Sequence, residues 1–320
     1  MPSNLDGAVS RREISSYLEE SRKADQFYIA DKIMPAQKVA ARAGRFPRFY
    51  RESGELLKAG ADLRGVTGSF PEISRKHEWD NYQCEERGIT ERIDDGVAKE
   101  MSSFFSQERI TAKLIYRYMQ LNREQRVANI VQDTSTFNTT ALTTALTEVN
   151  IGTIDFAKDL LEAQERLQRK ALVANTLIMT QPVWNRISRT TKLQNYLYGP
   201  TGAGTGNRKI ELSHVGGSFR IQNVMIAAAT IDTAIKGQSA SLNNVWSNDY
   251  IALANVETGD FASGGIGRTL CWKADSPGGI FTTDSWYDKE RLGTILRVRT
   301  NSIEKILDTD SVELLSTNYA

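Results

Sequence analysis

The chain has 320 residues with 40 basic and 39 acidic side chains, a net charge of +1, so no surplus field draws it to a polyanion or a membrane surface. A composition 40% apolar and 25% charged can build real cores and excludes a disordered chain. No apolar run nears the roughly 20 residues of a membrane span, and the polar, acid-bearing first 30 residues do not read as a signal or transit peptide.

In chain order, residues 3–25 read as an arm. Ser10 and Glu13 stand at capping-box spacing, and Ile14, Tyr17, Leu18 and Ser21 give a thin apolar stripe that cannot fold alone. It needs a surface to dock on, or it is a frayed terminus. Phe27, Tyr28 and Ile29 open a strand-like run, and GRFPRFYRE around Phe46 and Tyr50 opens another. Between Lys32 and Arg51 stand six bases and no acid: Lys32, Lys38, Arg42, Arg45, Arg48 and Arg51. Gly54, Gly60, Gly65 and Gly68 punctuate a stretch without helical period, and His77, Trp79 and Tyr82 mark a returning strand. So little core signal over so long a segment predicts a hairpin or excursion that finds its burial on a neighbour.

From Asp94 the spacing turns helical. Val97, Met101, Phe104, Glu108, Thr111, Ile115 and Tyr118 recur at three and four, widened by Phe105, Leu114 and Met119. Helical through Arg126, this spine would be roughly 50 Å long. The seven threonines of residues 134–150 predict a polar, β-leaning connection. Phe156, Leu160, Ala163 and Leu167 mark an amphipathic helix ending near Asn175. TLIMTQP predicts a buried strand stopped by Pro182, with a helical turn behind it pinned by Trp184. Strands are predicted over 209–215, 219–229, 250–254, 268–273, 294–300 and 312–315. The class is α+β.

Raw material for chemistry is thin. In the glycine-rich stretch GPTGAGTGNRK, Gly204 is followed by Thr205 and Gly206 rather than by the lysine and Ser or Thr of a phosphate loop, and a strand is predicted after it where a dinucleotide site needs a helix. His77, Cys84, His214 and Cys271 are scattered, without metal-ligand spacing or a nucleophile signature, and the distant cysteines suit a reducing compartment. His214 falls in a predicted strand, where half exposure is its ordinary state. Trp79, Trp184, Trp246, Trp272 and Trp286 read as packing anchors. Only Phe46, Phe49 and Tyr50 among Arg45, Arg48 and Arg51 interleave aromatics with bases as a nucleic-acid surface would, and a subunit contact explains them as well. No catalytic, cofactor-binding or metal-binding residue is assigned.

The order of these segments resembles the major capsid proteins of tailed double-stranded DNA phages, with the Hong Kong 97-type fold, over roughly residues 25–316. FYIADKIMP resembles the passage from the N-terminal arm into the peripheral domain, and residues 45–93 match the extended loop in place and character. Residues 94–126 are similar to the spine helix. FAKDLLEAQERLQRKALVANTLIMTQPVWNRI looks very like the axial-domain helix, strand and P-x-W turn, the most specific piece. NDYIALANV resembles a later axial strand, and SWYDKERLGTILRVRTNSIEKILDTDSVELL resembles the strand pair returning to the peripheral domain.

The resemblance implies a shell subunit divided as arm 1–25, start of the peripheral domain 26–44, extended loop 45–93, peripheral domain with spine helix 94–150, axial domain 151–275 and return to the peripheral domain 276–320. It implies self-assembly into hexamers and pentamers of a virion shell in the host cytoplasm, a portal, packaged double-stranded DNA held non-specifically, and no cofactor, enzymatic activity or membrane. Some members carry a long N-terminal scaffolding segment; only about 25 residues precede FYIADK here, which implies a separate scaffolding protein or none. Lys58 lies in the loop, yet nothing marks a partner for the covalent cross-link some members form. An encapsulin-like compartment and an unrelated α+β enzyme remain alternatives. The opposite bias of two segments predicts a subunit interface: Arg42, Arg45, Arg48 and Arg51 against Glu85, Glu86, Glu91, Asp94 and Asp95, the last five read as a charged helix entrance. Pairing within one chain is the competing arrangement.

Overall fold

The computed structural model describes residues 9–10, 28–49, 77–101, 106–199, 209–235, 237–275 and 279–319. Its elements begin with β1 (Val9–Ser10), helix α1 (Ala30–Ile33), β2 (Ala36–Val39), β3 (Ala43–Phe49), β4 (His77–Gln83) and β5 (Glu85–Asp94). Helices α2 (Asp95–Met101) and α3 (Gln107–Val131) follow, then β6 (Asn138–Ala141), α4 (Phe156–Arg169), β7 (Thr176–Thr180), α5 (Gln181–Ile187), α6 (Thr191–Tyr198) and α7 (Leu212–Phe219). The chain closes with β8 (Asn223–Ala227), β9 (Thr230–Asp232), β10 (Leu242–Asn244), β11 (Tyr250–Ala254), β12 (Gly267–Trp272), β13 (Thr282–Asp288), β14 (Gly293–Ile306) and β15 (Val312–Ser316).

Two sheets carry the molecule. The first is built around β14, whose 14 residues let it serve three partners. One edge runs antiparallel to β5, from Gly293 opposite Asp94 to Ser302 opposite Glu85. The other edge is divided: β13 takes residues 293–299 and β12 takes 302–306. β2 adds in parallel to β12, and β1 pairs with β13. The second sheet runs β6-β15-β11-β7-β8, with its two outer pairs parallel and its inner pairs antiparallel.

Strand periodicity decides which core each side chain joins. Leu177, Met179, Ile251, Leu253 and Leu315 face a helical layer of α4 to α7, including Phe156, Leu160, Leu167, Val183 and Trp184. Ile178, Ala252, Ala254, Val312 and Leu314 face the other way, onto Val127, Ala128 and Val131 at the end of α3 and onto Ile29, Ile33, Met34 and Trp246. The first half of α3 buries Ala112, Ile115, Tyr116 and Met119 against Leu296, Val298 and Phe281 of the first sheet. One helix, 25 residues and about 37 Å long, therefore packs on both sheets.

Local chemistry explains several boundaries. The Asp155 carboxylate accepts the Lys158 amide and starts α4, and Pro182 sits in the first turn of α5, where its missing N–H costs nothing. The strands expected over 250–254, 268–273 and 312–315 are present, with β14 longer at both ends than the 294–300 expected of it.

Other expectations are corrected. The spine is not one helix from Asp94: that residue ends β5, α2 is separate, and α3 extends past Arg126 because Val127, Ala128 and Val131 are buried. Glu85, Glu86, Glu91 and Asp94 lie on β5 rather than at a helix entrance, where ten cross-strand partners override the weak strand propensity of their side chains. Only Asp95 heads a helix. Within the 45–93 loop, β3 and β4 form a hairpin, while 85–93 belong to the first sheet; the glycine-punctuated 50–76 lie outside the described residues, as do the arm's stripe and the 200–208 glycine loop. His214 sits in α7, not a strand, its ring accepting the Glu211 amide in a capping box. Helix α4 stops at Arg169, and Ala171 takes a positive φ of 56°. Ile29 caps a helical turn instead of continuing a strand, and the strand expected over 219–229 shrinks to β8. Trp184 and Trp246 are buried anchors, whereas Trp79 is 59% exposed. β12 belongs to the first sheet, and β15 lies inside the second.

Candidate assembly surfaces and the polar hub beneath them

The β3–β4 hairpin pairs Arg45 with Asn81 and Pro47 with Trp79. Its base is fixed by Phe46, fully buried and stacked on Phe261 at 5.6 Å, and by Tyr82, whose hydroxyl donates to the Ala41 carbonyl at 3.2 Å. The basic set then divides by role. Arg42 and Arg45 are exposed, with Arg42 Nε reaching the Cys84 carbonyl at 3.4 Å. Arg48 is half-buried; its Nε donates to the Leu307 carbonyl at 3.3 Å and its Nη1 lies 3.9 Å from Asp80. It is a strut between hairpin and body. Arg51 lies outside the described residues.

The acidic set lines β5, whose other edge has no strand partner among the described residues. Glu85, Glu86 and Glu91 are exposed. Glu85 pairs with Arg87, and Asp94 sits 3.9 Å from Arg92 while capping the Gly96 amide. Asp95 accepts the Tyr287 hydroxyl at 2.6 Å, which raises the phenol's pKa. The ion pairs described for both sets are thus local, within β5 or across the β3–β4 hairpin. An exposed edge strand invites pairing with another chain, and its density of charge limits which chains can approach.

Beneath these surfaces lies a polar hub that the spacing of apolar residues did not reveal. Glu124 of α3 is wholly buried, and its carboxylate accepts the Trp246 indole N–H at 2.7 Å, the Ala30 amide at 2.8 Å and the Ile29 amide at 3.1 Å. Burial pushes its pKa up, offset only in part by those donors and by Arg123. Arg123, also buried, binds Asp31, the Met34 carbonyl at 3.1 Å and Thr269 Oγ1 at 3.0 Å. Arg126 clasps Glu304 with two bonds of 3.0 Å. These side chains tie residues 29–34, β12 and β14 to one helix. The signal was the charged run NREQR, residues 122–126, on an otherwise packed face, which a search for apolar periodicity passes over. A second buried acid, Glu313 on β15, accepts from Asn138, Thr140 and Arg166, tying β6 and α4 to β15.

A groove of about 550 Å³ opens beside α5, where Arg186 stacks 3.7 Å over the Tyr319 ring and shares Glu148 with Arg189. Within it Gln181 donates to Asn185 at 2.8 Å. Cys84 and Cys271 are buried free thiols; burial pushes Cys271 up to about 12, so it is a protonated packing residue at neutral pH. Among the described residues no group of three His, Cys, Asp or Glu side chains could hold a metal ion, and no helix is long and apolar enough to cross a membrane.

No family model and no curated protein sequence matches the chain. Solved structures do. A phage-related protein from Bordetella bronchiseptica RB50 is 16% identical and superposes with a TM-score of 0.73, covering 97% of this chain and 98% of its own. A structure from Microbacterium phage Oxtober96 is 13% identical, with a TM-score of 0.59 and 90% of each chain covered. The holo-SrpI encapsulin complex of Synechococcus elongatus PCC 7942 is 9% identical, with a TM-score of 0.53, covering 89% of this chain and 85% of that one. With its hairpin, two sheets and shared spine helix, the chain has the Hong Kong 97-type fold of phage capsid and encapsulin shell proteins.

Proposed function

We propose that this chain is a major capsid subunit that self-assembles into an icosahedral shell around double-stranded DNA, without catalytic activity of its own. The observation that carries it is the end-to-end superposition on a phage-related protein. The physical character of the surfaces supports it: a hairpin rooted by Phe46 and a charged strand whose outer edge has no strand partner among the described residues. In this scheme the first sheet with the front half of α3 is the peripheral domain, and the second sheet with α4 to α7 is the axial domain meeting its copies at the hexamer and pentamer centres. Arg42 and Arg45 of one copy face Glu85, Glu86 and Glu91 of the next, with Arg51, Asp94 and Asp95 at the margins. Scaffolding protein and portal complete the assembly in the host cytoplasm.

Sedimentation and negative-stain imaging of the purified chain test this. Closed shells or capsomers are the expected result, and a monomer at every concentration and salt tried contradicts it. A second reading, a compartment around an enzyme cargo, is favoured by the encapsulin match. Nuclease-resistant DNA inside particles from the native source supports the first, and a co-purifying enzyme supports the second.

A further inference from the structure

Arg268 on β12 is buried, at 1% exposure, and carries its charge without a paired carboxylate among the described residues. Its Nε donates to the Gly259 carbonyl at 3.2 Å and its Nη1 to the Gly267 carbonyl at 2.9 Å, while Nη2 has no partner there. The opposite charges acting on it are Glu257 and Asp260; neither bonds it, and burial pulls its pKa down against them. A guanidinium out of water with one end unsatisfied is a costly group, and it calls for a reason. Both acids ride on the connection from β11 to β12, which touches Arg268 at Gly259 and then makes a single helical turn at Phe261–Ser263.

That connection is held by the hairpin. Phe261 stacks on Phe46 of β3, with ring centroids 5.6 Å apart and planes 23° from parallel. Arg48 of the same strand donates to the Leu307 carbonyl, and the Leu307 amide donates to Ile266, where the connection ends. Asp260, one residue before the stacked ring, is exposed, and its carboxylate has no hydrogen bond or ion pair among the described residues. The Ser263 amide and hydroxyl both donate to the Asp260 carbonyl, so the turn moves as one piece with Phe261. Gly259 precedes it, and Gly264 follows at a φ of 73°, a hinge that a side chain would stiffen.

We propose that this turn is a two-position catch. With the hairpin stacked as in the single chain, Asp260 stands in water; when a neighbouring copy draws the hairpin root off Phe261, Asp260 closes on Arg268 and replaces the Gly259 carbonyl. Asp260 is favoured over Glu257 because the Glu257 amide lies tight against Gly265, where an added Cβ would meet it at 2.8 Å, so that end of the connection has no room to shift. The stack opposes closure and the neighbour removes the opposition, which is the differential contact a two-state element needs. Closure gives the buried guanidinium its missing charge and holds the displaced hairpin in its new place. The catch rests on the shell reading only for the neighbour that loads the hairpin.

Asp260→Asn, Phe261→Leu and the double variant test it first as unassembled full chains unfolded in urea, with helix content checked by circular dichroism. Asp260→Asn alone is expected to change the folded-to-unfolded ratio less than about twofold, because the carboxylate has no partner in that state. Added to Phe261→Leu, which loosens the stack, the same change is expected to lower the ratio at least about tenfold. Glu257→Gln shows no such dependence on Phe261. An equal loss in both backgrounds, no loss in either, or a dependence carried by Glu257→Gln overturns the catch. The second comparison is hydrogen exchange of the amides of residues 256–266 in particles. Asp260→Asn is expected to speed it at least about tenfold there and to leave the unassembled chain unchanged. Particles indifferent to Asp260→Asn overturn the link to the neighbour, and this comparison decides should Phe261→Leu fail to fold. Where no particles form at all the shell reading fails, and the unfolding comparison still decides the catch.

Discussion

Glu124 holds a charge where water does not reach, and its two oxygens together accept three donors from two distant segments. Replacing it with Gln keeps the shape but aims an N–H₂ at groups that also donate. The expected cost is about 2–3 kcal/mol, read as a lower urea midpoint of the unassembled chain. The pH dependence has a definite sign. A carboxylic acid whose pKa is raised on folding keeps its proton in the native state over a window where the unfolded chain has released it. Stability from Glu124 therefore falls as pH rises from the ordinary carboxylate range through the raised value, and is level above it. The deficit of Glu124→Gln is accordingly expected to be larger in mild acid than in alkali. Asp284 behaves oppositely. Burial alone would push it up, but hydrogen bonds from Arg299 and Arg297, both 2.8 Å, outweigh burial and hold its pKa down. Its stabilisation is present above the ordinary carboxylate range and is lost as pH falls through the lowered value, so the deficit of Asp284→Asn is expected to shrink in acid. Midpoints measured across pH for both variants check the pair.

At the scale of elements, the hairpin offers the clearest test of charge pairing between subunits. Arg48 is tied to Leu307 and Asp80, so reversing it disturbs folding as well as assembly. Arg45 is exposed and is the cleaner probe. Arg45→Glu is expected to leave helix content unchanged and to slow assembly, with partial rescue by Glu86→Lys in the same chain. Each exposed pair is worth at most about 1 kcal/mol and weakens with salt, so light scattering at low and high salt reads the effect. Normal assembly of Arg45→Glu at low salt counts against the pairing. Which elements could be foreseen has a physical pattern. β7, β11 and β15 are buried over nearly their whole length, so their apolar runs announced them. β5 could not be foreseen, because its strand character comes from β14, some two hundred positions away, and its own letters are those of a solvated face. α7 hid behind Gly216 and Gly217, which weaken any helical signal, and behind a cap made by Glu211 and His214 rather than Ser or Asp. α3 was foreseen as a spine, and Thr111, Ile115 and Met119 of its predicted stripe are buried, but Leu114 and Tyr118 of the same stripe face out.

For the whole molecule, α3 is the shared component. Its front half closes the first sheet's core, its last turns close the second's, and Arg123 and Arg126 bind Glu304 and Thr269 between them. Neither sheet can keep its buried face dry once this helix leaves. Two sheets in 320 residues would ordinarily suggest two transitions; here one is expected. Tryptophan fluorescence and far-ultraviolet circular dichroism recorded on the unassembled chain should coincide, and two resolved steps would refute a common spine. The global plan was legible because the order of segments survives in their apolar pattern. The groups that clamp it were not, because Glu124, Arg123 and Glu313 acquire meaning only from partners far along the chain.

The place of β15 has a consequence for synthesis. It lies between β6 and β11 although it is made long after both, so a ribosome must release two halves of a sheet before the strand that joins them exists. Until then Leu314 and Leu315 are missing from the cores on either face, and Arg166 lacks its buried carboxylate. Folding of that sheet is thereby deferred until β15 has been made, with nascent edges open to chaperones meanwhile. A message cut short before Val312 yields a polypeptide that cannot close the sheet, so faulty products would be sorted out at the level of folding.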